Sequence, residues 1–404
     1  MDKILFAAPD VGWHEAALVR KAIKSRWLTN GPVVHDFERK IAEMSGASRA
    51  VCCDSCSNAM ETTLRMLGVG SGDEVITTPF TYTSTAEVIL HLGAKAVFVD
   101  LDEDSFEMDY QKVADAITPH TKAIMPVDYG GKLCDYAELM SVVKEHKDMF
   151  QPNSQLQEVL GRIAIIADAA HSFGAKLGNK VSGQFADFTC FSFHVLKNIT
   201  TGGEGGAIVW NDIRGISNGI LESNLRLLLD HGQTSRDKSG GWEYDIKLLG
   251  YNSIMTNLDA AMGLAQLDRF EEITEDRVEV THRYDMLFDQ ADIGAVPLIR
   301  HFGPDYMSAM HLYPIRLYDG ESPAGHRFRN TVYHLLKDAG VPCNVHYKPL
   351  PMMSAYKALG YKASDYPNAS KRYYSLLTIP YHTFLSAEQQ EYIVDKIGEA
   401  VFLA

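Results

Sequence analysis

The chain has 404 residues, 46% of them hydrophobic, enough to bury a large core and to fill two domains of unequal size. Its 38 Lys and Arg against 52 Asp and Glu leave a formal net charge of −14, which argues against nucleic acid as the main partner, because a phosphate backbone demands clustered cations. No run approaches the roughly 18 apolar residues of a membrane span, and Met1-Asp-Lys-Ile-Leu-Phe6 lacks the anatomy of a signal peptide, so a cytoplasmic protein with no membrane partner is expected.

Pro9-Asp-Val-Gly-Trp-His-Glu15 reads as a helix start with Asp10 as its N-cap. Residues 27–32 form a loop. Val34, Phe37, Ile41 and Met44 then recur at helical spacing, and Gly46 ends that helix. From there, short apolar runs alternate with helical stretches. The runs lie at 50–53, 74–77, 96–99, 123–127, 163–166, 187–192 and 207–210, and the helical stretches at 57–67, 84–92, 110–117 and 136–145. Strands repeating with intervening helices predict an α/β fold, a three-layer α/β/α arrangement around a mainly parallel sheet. Ligands of such sheets gather at the carboxyl ends of strands, where Asp168, Asp128 and the stretch 55–58 fall. The polar stretch 148–161 lies inside the alternation and suggests no function. Residues 257–272 read as a strongly periodic helix that leads into a longer helix through Arg277 and Tyr284. The domain boundary is expected there, with a large domain over 1–275 and a smaller C-terminal α+β domain over 276–404. The latter carries a strand at 312–317 and helices at 327–339 and 387–402.

Six cysteines are too few and too scattered for a disulfide framework. Cys52, Cys53 and Cys56 cluster, but a second ligand pair at metal spacing is missing, so no metal is expected. Gly68-Val-Gly-Ser-Gly72 runs into a strand pattern, whereas a dinucleotide fingerprint requires strand, glycines, then helix.

Two stretches carry chemistry. Ile163-Ala-Ile-Ile-Ala-Asp168 is an apolar run ending on an acid, with His171 three residues on. Residues 191–206 set Lys197 in a glycine-rich turn between two strand-like runs. Alone, such a lysine reads as a surface charge at a turn. Together, the two stretches suit pyridoxal 5′-phosphate (PLP). The carboxylate would keep the pyridine nitrogen protonated, and the amine would bind the aldehyde covalently. The stretch 55–58, opening a helix, suits the phosphate, although it also reads as an ordinary helix cap.

These stretches join Trp27-Leu-Thr-Asn-Gly-Pro32, Pro79-Phe-Thr-Tyr-Thr-Ser-Thr85, Ser192-Phe-His-Val-Leu-Lys197, Gly203-Glu-Gly-Gly206, Gly250-Tyr-Asn252 and His346-Tyr-Lys-Pro-Leu350. In that order and spacing, over nearly the whole chain, they resemble the DegT/StrS-type sugar aminotransferases, PLP enzymes of the aspartate aminotransferase fold type I. The resemblance implies Lys197 as the PLP-binding amine, Asp168 at the ring nitrogen and His171 near the ring hydroxyl. Position 171 is often glutamine in the family, and the histidine is expected to alter pH sensitivity more than reaction class. Tyr82 is implied as the aromatic stacked on the ring, and Cys56, Ser57 and Ser192 as phosphate contacts. Asn252 would reach the phosphate of a neighbouring subunit's cofactor, which implies a homodimer with shared sites. Trp27, Thr29 and His346 are implied beside the substrate. Ser253-Ile254 stands where many members carry Tyr-Arg. The implied reaction moves an amino group from L-glutamate to a keto-sugar, nucleotide-linked, in aminosugar, surface-polysaccharide or antibiotic biosynthesis. The alternatives are a transaminase of a free sugar or sugar acid, a PLP-dependent sugar dehydratase, and a non-catalytic PLP-binding regulator. Dehydratases of this type carry histidine in place of the lysine.

Overall fold

The structure, a computed structural model, describes residues 3–234, 242–317 and 325–404. Nine strands fall within residues 49–210: β1 (Arg49–Cys53), β2 (Glu74–Thr77), β3 (Lys95–Phe98), β4 (Thr121–Met125), β5 (Ala164–Asp168), β6 (Lys176–Leu177), β7 (Lys180–Val181), β8 (Phe188–Ser192) and β9 (Gly206–Trp210). Seven of them form one sheet in the order β1-β9-β8-β5-β4-β2-β3, and each corresponds to a run read from the sequence. All pairs are parallel except those of β9, which is antiparallel to both β1 and β8.

Strands β4, β5, β8 and β9 are buried along their whole length, as a sheet covered on both faces requires. Alternate residues feed two cores. Ile165 and Ala167 of β5 join Phe37, Ile41, Leu139 and Ala260 on one face. Ala164 and Ile166 join Ala59, Leu64, Ile89 and Leu225 on the other. This is the three-layer α/β/α arrangement.

Towards the C-terminus come β10 (Ala295–Pro297), β11 (Phe302–Gly303), β12 (Tyr306–Met307), β13 (Tyr313–Leu317) and β14 (Leu376–Ile379). Strands β10, β13 and β14 make an antiparallel sheet. Its Ile315, Leu317, Leu377 and Ile379 pack with Tyr284, Val332, Leu336 and Ile393 from three helices. Ile4 joins this core, so the N-terminal segment reaches the C-terminal elements. The division expected near residue 275 falls inside the helix Phe270–Gln290.

Three local readings change. Asp10 is not an N-cap: the helix Trp13–Ser25 is capped at Gly12, whose N–H donates to Glu15 at 2.7 Å. Asp10 instead accepts from Arg269 and from Thr383, each at 2.9 Å, which ties the N-terminal segment down. The first periodic helix from Asn257 ends at Asp268 rather than 272, and the longer one is Phe270–Gln290; they meet at Arg269, whose guanidinium is held by Asp10 and Glu15. The polar stretch 148–161 forms a helix, Gln155–Leu160, with Ser154 as N-cap. Ser154 and Gln157 both donate to the Leu67 carbonyl, at 2.6 and 2.9 Å.

Candidate active site

Strand β5 ends on Asp168 at the carboxyl edge of the sheet. Its Oδ2 accepts from Thr85 Oγ1 at 2.6 Å and its Oδ1 from the Ala170 N–H at 3.2 Å. Burial pushes this carboxyl above the usual range, opposed by those two donors and by the charge of Lys197. The site is therefore built to welcome a cation beside Asp168.

Lys197 lies in the connection from β8 to β9. That connection folds back on itself: the Phe193 N–H donates to Gly205 O at 2.8 Å and the Val195 N–H to Gly203 O at 3.0 Å. Phe193 and Ile199 are buried beneath it, so the lysine between them faces the cavity. Burial lowers the ammonium to about 8, with Cys56, Asp168 and Glu204 pulling the other way. A substantial fraction of the amine is thus neutral near physiological pH.

The helix Cys56–Met66 starts at the same cavity. Its N-cap Ser55 accepts from the Asn58 N–H at 3.2 Å, and the first intrahelical bond runs from Ala59 N to Ser55 O. The N–H groups of Cys56 and Ser57 precede that bond and point out of the helix end, where an anion is favoured. The Cys56 thiol donates to Cys190 O at 3.4 Å, and burial pushes it well above its ordinary value, so it serves as a small neutral side chain. Gly206 makes this end compact. A Cβ there would lie 2.4 Å from Ser55 C and 2.6 Å from Cys56 N, so only glycine lets β9 run so close beneath the helix start.

Lys197, Asp168, His171, Ser192, Tyr82, Cys56, Ser57 and His346 all line one cavity of about 570 Å³. Tyr82 is 62% exposed, its ring open to the cavity and 6.2 Å from that of Tyr347. Ser192 is buried at the end of β8. His346 is held down to about 4 by burial and by Lys197. His171 departs from expectation. Burial and Lys197 hold it well below its ordinary value, so it stays neutral across the physiological range and adds no titration there. Its Nδ1 accepts from the Gly130 N–H at 3.1 Å, which puts the ring proton on Nε2, 3.3 Å from the Tyr347 hydroxyl.

Trp27, Thr29 and Asn252 are not among the cavity-lining residues. The Trp27 indole donates to Asn30 O at 2.9 Å, and the Asn257 amide donates to Trp27 O at 2.9 Å, which pins residues 27–30 to the start of the helix Asn257–Asp268. Asn252 is exposed beside Tyr251.

These residues fit PLP: an amine, a strand-end acid, a helix N-terminus and a flat aromatic converge on one cavity. A model described as the DegT/DnrJ/EryC1/StrS aminotransferase family matches residues 9–398. The chain belongs to this family. It is a PLP-dependent aminotransferase. It is 32% identical over 402 residues to the spore coat polysaccharide biosynthesis protein SpsC of Bacillus subtilis, covering 98% of this chain and 96% of that one. It is 34% identical over 367 residues to the UDP-2-acetamido-2-deoxy-3-oxo-D-glucuronate aminotransferase of Pseudomonas aeruginosa, covering 91% of this chain and 90% of that one. Among solved structures, the PLP-form of Spr1654 from Streptococcus pneumoniae superposes with a TM-score of 0.95 at 38% identity, covering 100% of this chain and 99% of that one. The same protein has also been solved in a PMP-form.

Several cavity residues of this aminotransferase escaped the sequence reading. His311 stacks 4.3 Å from His171, and its Nδ1 lies 2.9 Å from Asn198 Oδ1. Because the Asn198 amide nitrogen is spent on Ala309 O, its oxygen must accept, and His311 carries its proton on Nδ1. Phe6, Arg277 and Tyr381 also line the cavity, and so does Tyr347, next to the expected His346 in the stretch 346–350. Phe6, His311, Arg277 and Tyr381 lie far apart in sequence and belong to no stretch singled out above.

Proposed function

We propose that this aminotransferase moves an amino group from L-glutamate to a carbonyl carbon of a nucleotide-linked keto-sugar. The observation that carries the reading is the meeting of Lys197 and Asp168 in one cavity at the carboxyl edge of the sheet, close enough for each charge to act on the other. The relatedness to an aminotransferase of a UDP-linked 3-oxo sugar supports the substrate class.

When bound, PLP supplies an electron sink that stabilises negative charge on the carbon bearing the amino nitrogen. Asp168, fixed by Thr85 and the Ala170 N–H, holds a proton on the pyridine nitrogen. Lys197 would bind the aldehyde covalently, and its neutral Nζ, once free, would be the base that takes up and gives back the donor's α-proton. The same Nζ would serve the amino donor and the keto-sugar alike. His171 offers its Nε2 proton to the ring hydroxyl. Tyr82 covers the ring face. The Cys56 and Ser57 N–H groups, with Ser192, hold the phosphate.

The enzyme is a homodimer in this reading, with Asn252 of one copy completing the phosphate site of the other. The segment before Asn252 supports this: Trp242 is 80% and Leu249 91% exposed, and large apolar side chains clustered in one exposed segment mark an interface. Sedimentation of the purified protein tests it, and a monomer with full PLP affinity would refute it.

The function is tested by adding glutamate to the coloured, PLP-loaded protein. The visible band should bleach and a panel of nucleotide-linked keto-sugars should restore it, with 2-oxoglutarate formed. Unchanged absorbance after glutamate would rule the reading out.

A further inference from the structure

Arg277 sits on the helix Phe270–Gln290, 8% exposed, and lines the cavity that holds Lys197. Its Nη1 donates to Met310 O at 3.1 Å, and its Nε finds no partner among the described residues. A guanidinium carries five N–H donors, so one carbonyl leaves most of the fork unspent. Nor does any carboxylate among the described residues pair with it. The nearby acid Asp10 is committed to Arg269 and Thr383. The other groups around Arg277 are Tyr381, whose ring centroid lies 5.9 Å from the guanidinium carbon, and His311 and His382, both kept neutral by burial. A buried cation without an anion is costly to maintain unless a ligand supplies the missing charge.

We propose that Arg277 is the anchor for a substrate carboxylate in this active site, a specificity residue of the transamination reading on which the proposal rests. The planar fork matches a carboxylate's two oxygens in a paired, charge-assisted contact. The cofactor phosphate has its own neutral donors at the start of the helix Cys56–Met66. Arg277 lines the cavity with His311, Leu312, Tyr381 and His382, away from that helix start. Two substrates could bring the carboxylate: the amino acid donor, or a keto-sugar that is itself an acid.

The test uses the PLP-loaded enzyme and three probes by calorimetry: glutarate, which has two carboxylates and no amine, glucuronate and UDP. Arg277→Gln should weaken glutarate at least tenfold and raise the glutamate concentration for half-bleaching in parallel. Arg277→Lys, which keeps the charge and a donor for Met310 O but loses the fork, should lie between, and it keeps the test open if the glutamine variant fails to fold. Melting curves and the cofactor band report whether each variant is intact. A loss confined to glucuronate also supports the anchor and assigns the carboxylate to an acidic sugar. Unchanged affinity for both acids, or a loss confined to UDP, overturns it and leaves Arg277 a structural cation, hydrated through the void of about 10 Å³ beside it. Failure of glutamate to bleach the wild-type enzyme would instead defeat the transamination reading itself.

Discussion

Gly206→Ala isolates the phosphate cradle from the chemistry. Gly206 pairs with Cys53 on one side and Ser192 on the other, and an added methyl would sit 2.4 to 2.6 Å from the Ser55 and Cys56 backbone. Neither neighbour is a flexible side chain, so the start of the helix Cys56–Met66 must shift. Overpacking of this kind costs about 1–3 kcal/mol. If that cost falls on the cofactor-bound state, PLP affinity should drop by about 5- to 150-fold, since 1.4 kcal/mol is tenfold. Dialysis followed by titration of the apo-protein with PLP, read by absorbance, measures it. Gly203→Ala is the control, because a Cβ there meets nothing within 4 Å. Wild-type PLP affinity and melting temperature in Gly206→Ala would refute the cradle. Equal damage from Gly203→Ala would show the effect to be unspecific.

Other predictions concern the titrating groups. Lys197 reacts as the neutral amine and its ammonium is lowered to about 8, so PLP capture by the apo-protein should speed up about tenfold per pH unit below 8 and level off above it. A rate still climbing well past pH 8 contradicts the lowered value. Asp168→Asn should retain PLP but slow the glutamate half-reaction by about 10²–10³-fold, the usual effect of losing a preorganised charge, and single-turnover absorbance reads it. A loss under tenfold would mean that Asp168 does not face the ring nitrogen. His171→Gln should leave the pH profile of the half-reaction unchanged across the neutral range, because the histidine, held well below its ordinary value, is already neutral there. A titration step that disappears with the histidine would refute its neutrality.

The seven sheet strands were legible because each is either a buried run or ends on a turn, and the strand-end acid and the turn lysine lie within two such features. The antiparallel direction of β9 was not stated in advance, although the connection carrying Lys197 favours it: it folds back on itself and holds no helix, whereas a parallel crossover usually carries one. Asp10 read as a cap because an acid before a helical pattern usually is one, and its tertiary partner Arg269 lies 259 residues away. Arg277 and His311 were invisible for the same reason. They reach the cavity from a long helix and from the residues before β13, and only tertiary packing brings them to Lys197. The neutrality of His171 depends on burial that no local stretch announces.

The central claim is that Lys197 carries the cofactor. Borohydride reduction of the PLP-loaded protein, followed by peptide mapping, should place the whole of the trapped adduct on Lys197, and Lys197→Ala should show none. An adduct on any other lysine, or one retained in that variant, contradicts the account.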